Sequence, residues 1–180
     1  MSHWPIDRYK KALHFAAQAH GDQKVPGTQL PYLLHLTSVC LEVINALPNR
    51  PDGDADLAIV CALLHDVIED TEVTFEQVQR NFGKAVAEGV WALTKDESVP
   101  KDQRLLDSLK RIRQQPPEIG MVKLADRIGN LQPPPAFWKQ DKIKQYFAES
   151  KLVYDMLQST DSYLADRLLK KIGEYEKYLG

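Results

Sequence analysis

The stretch at residues 54–71, DADLAIVCALLHDVIEDT, joins an apolar segment to a cluster of acidic residues. Apolar side chains recur in it at spacings of three and four, which predicts one buried face of an α-helix. These positions are Leu57, Cys61, Leu64 and Ile68. Asp54 precedes the run and has the residue type of a helix N-cap. The stretch therefore predicts a core helix with a polar carboxyl-terminal end.

The same helical periodicity extends on both sides of this stretch. Pro and Gly breakers separate the periodic segments at residues 26–27, 31, 48–53 and 133–135. Further helices are predicted at about 6–20, 34–47, 74–82, 86–93, 105–112, 117–131, 141–158 and 162–179. The sequence shows neither strand alternation nor an internal repeat. A chain of 180 residues is expected to form one all-α domain over residues 1–180, a bundle of about nine helices.

Composition and charge exclude several classes of protein. With 43% hydrophobic and 27% charged residues, the chain has the composition of a globular domain rather than of a disordered one. The 23 Lys and Arg residues against 25 Asp and Glu residues give a net charge of −2. No basic surface for nucleic acid and no polybasic membrane anchor is therefore expected. No run approaches the roughly 18 apolar residues that a membrane span needs. The oligomeric state stays open.

The amino terminus and the two cysteines indicate the cellular compartment of the protein. The amino terminus lacks the charged start, the apolar run and the small-residue cleavage site of a signal peptide. Cys40 and Cys61 are the two cysteines, and both lie inside predicted helices. Buried thiols in such a chain favour free cysteines over a disulfide. These features predict a cytoplasmic protein.

The acidic cluster after the core helix suggests a metal site. His65 and Asp66 open it, and carboxylates stand at positions 66, 69, 70, 72 and 76 with no cation between them. Residues four apart on a helix are neighbours, so His65 is expected above Glu69 and Asp66 above Asp70. Carboxylates this dense repel one another unless a cation neutralises them, and a divalent metal is such a cation. The alternative is a solvated acidic helix end that carries a core histidine.

Two other segments place a polar side chain on an apolar element. His35 follows PYLL at residues 31–34, and Asp126 lies in VKLADRIGN at residues 122–130. Asp126 is beside an apolar helical stripe, and a buried carboxylate is costly unless it is paired or bound to metal. The alternative partner is Arg127 or another basic group. The order of the polar residues along the chain is His, His-Asp, Asp.

These segments together resemble the HD-domain metal-dependent phosphohydrolases. The resemblance is greatest to the hydrolase domain of RelA/SpoT-type alarmone enzymes and their small stand-alone relatives. Matching segments occur in family order over most of the chain, at residues 19–23, 27–28, 31–35, 62–71, 82–83, 93–95 and 123–127. The resemblance implies an all-helical fold and an enzyme that hydrolyses a phosphate or pyrophosphate ester of a nucleotide.

The resemblance also implies a cofactor and its ligands. One divalent metal ion, of the Mn²⁺ type, would be held by His35, His65, Asp66 and Asp126. This set of imidazole and carboxylate ligands suits Mn²⁺, Fe²⁺, Zn²⁺, Co²⁺ and Ni²⁺, so side-chain type leaves the choice open.

The reaction implied is removal of the 3′-pyrophosphate from guanosine tetra- or pentaphosphate. By the same resemblance, Glu69 and Asp70 would be the catalytic residues that orient or deprotonate the attacking water and protonate the leaving oxygen. Asn130 matches a family residue near the nucleotide sugar.

Basic residues are expected around so acidic a site, because substrate phosphates need cations in addition to a metal. The candidates are Lys24, Lys95, Lys123 and Arg127. The alternative for the last three is a solvated helix face. His20 is expected to cap its helix or to support the site from behind.

The sequence departs from the alarmone hydrolases where they bind substrate. Val25, next to Lys24, stands where those enzymes have an Arg that stacks on guanine, and Pro26 stands where another basic residue is usual. Gly129 and Pro133 replace a His and a Thr of the family pattern. Two alternatives therefore remain beside the alarmone. One is hydrolysis of another nucleotide, a deoxynucleotide or NADPH, and the other is a nucleotide-sensing module without turnover.

Overall fold

The computed structural model describes residues 6–180, and these residues form α-helices joined by short loops. The α-helices are α1 (Ile6–His20), α2 (Leu33–Ala46), α3 (Ala55–Leu64), α4 (Val67–Asp70), α5 (Phe75–Phe82), α6 (Lys84–Leu93), α7 (Arg104–Ile112), α8 (Pro117–Asn130), α9 (Gln140–Leu157) and α10 (Ser162–Tyr175). Short 3₁₀ helices follow α2 at Leu47–Asn49 and α10 at Glu176–Tyr178. Residues 1–5, on which part of the signal-peptide argument falls, lie outside the described residues. The prediction of an all-α fold is confirmed.

Local sequence signals account for many of the helix ends. The Oδ1 atom of Asp54 accepts a hydrogen bond from the Leu57 backbone N–H at 2.9 Å, which makes Asp54 the N-cap of α3. Thr74 and Gln77 form a reciprocal capping box at the start of α5. Gly83 ends α5 with φ of 95°, a conformation that glycine adopts without a Cβ clash.

Helices α3 and α8 lie at the centre of the fold. Every residue of α3 from Leu57 to Leu64 is buried, and so is every residue of α8 from Glu118 to Ile128. The expectation of a single buried face on α3 was therefore wrong, because α1, α2, α6 and α8 all pack against it and a helix that is apolar all round is a central one. Helix α8 carries Asp126 into the interior, and α3 ends directly before the buried His65.

The helix predicted through residue 68 is broken after Leu64. Adjacent residues of a regular α-helix do not face each other. The break between α3 and α4 allows the Oδ2 atom of Asp66 to lie 2.9 Å from the Nε2 atom of His65. The Asp70 N–H still donates to the Asp66 carbonyl at 2.8 Å, so this pair keeps the predicted spacing of four residues. The carboxyl groups of Glu69 and Asp70 accept hydrogen bonds from Lys95 and Gln23.

Two further expectations concern burial and membranes. Cys40 and Cys61 are buried and free, and burial raises the pKa of the Cys40 thiol to about 12. Within residues 6–180, no helix is both long enough and apolar enough to cross a membrane.

Candidate metal centre and substrate cleft

Three buried elements bring the His and Asp side chains of the motif together. His35 comes from the first turn of α2, His65 and Asp66 from the junction of α3 and α4, and Asp126 from α8. The relative exposure of His35, His65 and Asp126 is 8%, 2% and 6%. The two Nε2 atoms of His35 and His65 lie 3.3 Å apart. The Oδ1 atom of Asp126 lies 3.4 Å from the first and 3.7 Å from the second.

This donor set fits a divalent cation. One ligand atom each from His35, His65 and Asp126 lies within 4.8 Å of the others. The Oδ2 atom of Asp66 is 2.9 Å from the His65 Nε2 and 3.7 Å from the His35 Nε2. Two imidazoles and two carboxylates are ligands that the borderline divalent metals accept. The arrangement brings three of the predicted ligands together and places the Asp66 carboxylate beside the two imidazoles.

The electrostatics of this cluster favour a bound positive charge. Burial opposes protonation of His65, but the carboxylates of Asp66 and Asp126 outweigh it and raise the pKa of His65. Burial likewise opposes ionisation of Asp126, but Lys123 and the two imidazoles hold the pKa of Asp126 well below its usual range. The cluster therefore presents ionised carboxylates in a buried place, where a cation is most strongly attracted.

A second layer of hydrogen bonds orients three of the four candidate ligands, His65, Asp66 and Asp126. The Nδ1–H of His65 donates to the Ala62 carbonyl at 2.8 Å, which turns the Nε2 atom of His65 toward the cluster. The hydroxyl of Tyr32 donates to the Oδ2 atom of Asp66 at 2.5 Å. Such outer partners fix the geometry of metal ligands.

Asp126 has two partners of its own on α8. The Lys123 ammonium donates to its Oδ2 atom at 2.9 Å, and the Asn130 amide donates to its Oδ1 atom at 2.5 Å. Both residues were expected to contact substrate, and both also line the cleft. The basic partner of Asp126 is Lys123 rather than Arg127, which packs its guanidinium over the Tyr146 ring at 4.4 Å.

Sequence reasoning missed Tyr32 as part of this layer. Tyr32 lies three residues before His35, a spacing that places both side chains on one side of the helix start, and their ring centroids are 5.2 Å apart. The spacing was a usable signal, but the contact to Asp66 depends on how α2 packs against the α3–α4 junction.

The two predicted catalytic carboxylates lie at the rim of the cluster and are held separately. Glu69 accepts hydrogen bonds from the backbone N–H of Lys95 at 2.9 Å and from its ammonium at 2.5 Å. Asp70 accepts one from the Nε2 atom of Gln23 at 3.1 Å. Burial and the neighbouring Asp66 carboxylate raise the pKa of Asp70, which favours a carboxyl group that can hold a proton.

A cleft of about 940 Å³ opens above these residues, a size typical of ligand sites. Three of the four candidate ligands, His35, Asp66 and Asp126, line it, together with Glu69 and Asp70. Among the residues that the structure describes, its walls carry eight cationic side chains, namely Lys95, Lys101, Arg104, Lys123, Arg127, Lys142, Arg167 and Lys171. Sequence reasoning did not place Lys101, Arg104, Lys142, Arg167 or Lys171 at the site, because a basic residue outside the motifs gives no signal of its own.

The structure separates Lys24 from Val25 at the loop that precedes α2. Lys24 is exposed, and its neighbour Val25 is the residue of this pair that lines the cleft. The backbone bridge between Lys24 and Pro31 sets the alternation of side chains in this loop, since successive residues of an extended segment face opposite sides. Trp138 also lines the cleft, with Pro26, Gly129 and Pro133.

Comparison with known proteins agrees with this geometry. Residues 12–161 match the family described as HD domain. The chain is 31% identical over 173 residues to guanosine-3′,5′-bis(diphosphate) 3′-pyrophosphohydrolase MESH1 of Drosophila melanogaster, covering 93% of this chain and 94% of that protein. It is 30% identical over 164 residues to the human protein of the same name, covering 88% of this chain and 89% of that protein.

Solved structures agree as well. One described as a metazoan ortholog of SpoT that hydrolyses ppGpp superposes with a TM-score of 0.81 at 29% identity, covering 96% of this chain and 98% of the other. Lmo0812 from Listeria monocytogenes shares the fold with a TM-score of 0.62 at 22% identity, over 82% of this chain and 99% of the other. The chain belongs to the HD-domain family of metal-dependent phosphohydrolases and is homologous to its MESH1 and SpoT-type members.

Proposed function

We propose that this protein is a metal-dependent guanosine-3′,5′-bis(diphosphate) 3′-pyrophosphohydrolase. The observation that carries the proposal is the cluster of His35, His65 and Asp126, with Asp66 beside the two imidazoles, next to a cleft with cationic walls. The near full-length similarity to proteins named for this activity supports the same substrate.

The proposed cofactor is one Mn²⁺ ion held by these four side chains. A divalent ion bound there supplies an activated water and polarises a phosphoryl oxygen. The second layer described above keeps the ligands in place: Tyr32 orients Asp66, and Lys123 and Asn130 orient Asp126.

Glu69 and Asp70 are proposed to carry the proton transfers. Hydrolysis breaks the bond between the ribose 3′ oxygen and its phosphorus, so the departing oxygen needs a proton and the attacking water must lose one. Asp70, whose pKa is raised, is suited to donate to the 3′ oxygen. Glu69, oriented by both donors of Lys95, is suited to position the water and accept its proton.

The cationic wall is proposed to bind the phosphate groups. Lys95, Lys101 and Arg104 line the same cleft as the carboxylates, so they can balance the charge of two diphosphates, with Lys142 and Arg127 as further donors.

A second candidate function follows from one observation. Val25 and the neighbouring prolines give the base side of the cleft an apolar wall. Such a wall makes no charge-specific contact with guanine, which favours a relaxed or different nucleotide preference, including a deoxynucleotide or NADPH. We also propose a cytoplasmic location, supported by the two buried free thiols, and a single domain spanning the chain.

A nucleotide panel tests these proposals. The purified protein, loaded with Mn²⁺, would be incubated with guanosine-3′,5′-bis(diphosphate), its adenosine form, deoxynucleotides and NADPH, and products would be identified by mass. Release of pyrophosphate with formation of GDP from the first substrate is expected. Faster turnover of another nucleotide would show that this nucleotide, rather than guanosine-3′,5′-bis(diphosphate), is the preferred substrate, as the second candidate function states. Binding of a nucleotide without any turnover would support the alternative of a nucleotide-sensing module.

A further inference from the structure

A chain of hydrogen-bonded side chains runs from Asp70 through Gln23 to His20. His20 is the last residue of α1. Gly21 follows with φ of +49°, which lets the backbone reverse directly after the helix. The reversal is closed by a hydrogen bond from the Gln23 N–H to the His20 carbonyl at 2.9 Å. The turn thus brings the Gln23 side chain between His20 and the site.

The donor and the acceptor of each hydrogen bond in this chain follow from the chemistry of the groups that it joins. The Gln23 Nε2 atom lies 3.1 Å from the Asp70 Oδ2 atom, and the Gln23 Oε1 atom lies 2.7 Å from the His20 Nδ1 atom. An N–H group donates and an amide oxygen accepts, so the Gln23 amide donates its N–H to the Asp70 Oδ2 atom and presents its oxygen to His20. The imidazole therefore carries its proton on Nδ1 and donates to Gln23.

Burying His20 lowers the stability of the fold, and a role at the site would account for the presence of a histidine here. The residue is 6% exposed, and its ring stacks on the Tyr32 ring with a centroid distance of 4.9 Å. Within residues 6–180 its buried Nε2 atom has no hydrogen-bond partner. A buried nitrogen without a partner destabilises the fold, and an apolar side chain would fill this space without that cost.

Asp70 needs an external constraint. It lies on α4, a single turn of Val67–Asp70, and its side chain is exposed. One helical turn gives little rigidity of its own. By contrast, Glu69 is fixed by two hydrogen bonds from Lys95.

We infer that His20 is a positioning residue, which locks the Gln23 amide so that this amide holds the Asp70 carboxyl group in its working orientation. The inference rests on the proposed function, since it gives Asp70 its role. His20 itself touches neither substrate nor metal ligand through a hydrogen bond; it acts through Gln23.

Three single variants separate positioning from packing. His20→Leu removes the donor, whereas His20→Asn keeps an amide N–H near the place of the Nδ1–H. His14→Asn, at an exposed position of the same helix, is the matched control. We expect kcat for guanosine-3′,5′-bis(diphosphate) to fall about 10- to 100-fold in His20→Leu, the scale of the Gln23 hydrogen bond to Asp70 that would no longer be held. KM should change little, and His20→Asn should recover most of the loss.

A double variant tests whether the effect passes through Gln23. Gln23→Leu alone should lower kcat at least as much as His20→Leu. If His20 acts through Gln23, then His20→Leu adds nothing to Gln23→Leu, and the effects are strongly non-additive. Additive losses, or equal losses in His20→Leu and His20→Asn at unchanged thermal midpoint, would overturn the inference.

Nuclear magnetic resonance supplies a readout that does not depend on turnover. The ¹⁵N shifts of His20 should report the Nδ1–H tautomer, and the Gln23 side-chain amide protons should exchange slowly in the parent and in His20→Asn but not in His20→Leu. The opposite tautomer or a rapidly exchanging amide in the parent would refute the positioning chain even if the substrate is a different nucleotide. An inactive parent that shows these signals would refute the proposed function alone.

Discussion

The two ends of the cleft are built in different ways. At the metal end, His35, His65 and Asp126 are buried side chains on α2, at the end of α3 and on α8, and each has partners at fixed distances. At the base end, Val25 and Trp138 come from loops and are only partly buried. A buried polar group must be paired, so few residue types can replace it. A loop residue that faces a cleft is free of this constraint, so reaction type and base specificity can change separately.

The largest effect is expected from breaking the metal end. In His65→Ala the cluster loses a ligand whose Nε2 atom lies 2.9 Å from the Asp66 Oδ2 atom. Elemental analysis should find about one equivalent of divalent metal in the parent and little in the variant, with loss of activity. His14→Ala is the control for substitution of a histidine. A variant that retains both metal and activity would show that the cluster is not the site.

The next largest effect concerns the carboxylates at the rim. Glu69→Gln and Asp70→Asn preserve side-chain shape but cannot transfer the proton, so each should lower kcat by about 10²–10⁴-fold. Metal content and the thermal midpoint should stay at the parent values. Turnover at the parent rate in both variants would contradict the assigned roles.

Tyr32→Phe tests the layer behind the metal end. Burial and the Asp66 carboxylate raise the pKa of Tyr32, so its hydroxyl stays protonated and donates to Asp66. Removing the hydroxyl should weaken metal affinity by roughly 10–100-fold, the usual effect of losing an outer partner. Titration of the apoprotein with Mn²⁺ measures this, with Tyr163→Phe, remote on α10, as the control. Unchanged affinity would show that Asp66 needs no such support.

Val25→Arg tests the base end alone. A guanidinium can stack on the base, and such contacts contribute roughly 0.5–2 kcal/mol, or about 2–30-fold in binding. The ratio of kcat/KM between the guanosine and adenosine forms of the bis(diphosphate) should rise in the variant, whereas Val25→Leu should leave it unchanged. If the parent enzyme is already strongly selective for guanine, another residue must recognise the base, and Trp138 is the first candidate.

The smallest effect is expected at Lys24. Its side chain is exposed and does not belong to the cleft wall, so Lys24→Ala should change KM by less than about fivefold, as for other exposed charges. Lys95→Ala, which removes a cation that lines the cleft, should have a clearly larger effect. A larger increase in KM for Lys24→Ala than for Lys95→Ala would indicate that Lys24 binds substrate.

The sequence alone predicted the metal end better than the base end, for a physical reason. His35, His65 and Asp126 were recognisable because a polar residue on an apolar element is rare unless it has a partner. Lys123 and Asn130 lie three residues before and four after Asp126, so helix geometry could have placed them against it.

Other features depend on packing between distant segments. The break after Leu64, the contact of Tyr32 with Asp66 and the contact of Gln23 with Asp70 are set by how α1, α2 and α4 meet. Lys101 and Arg104 line the cleft, but in the sequence nothing distinguishes them from other surface residues. Local pattern carries no information on such contacts.

The central claim is that His35, His65, Asp66 and Asp126 form one divalent metal site. An anomalous difference map from crystals grown with Mn²⁺ tests it most directly. We expect one strong peak at coordination distance from the Nε2 atoms of His35 and His65, the Oδ2 atom of Asp66 and the Oδ1 atom of Asp126. A map with no peak there, or with manganese only among the exposed carboxylates of residues 69–76, would contradict the claim.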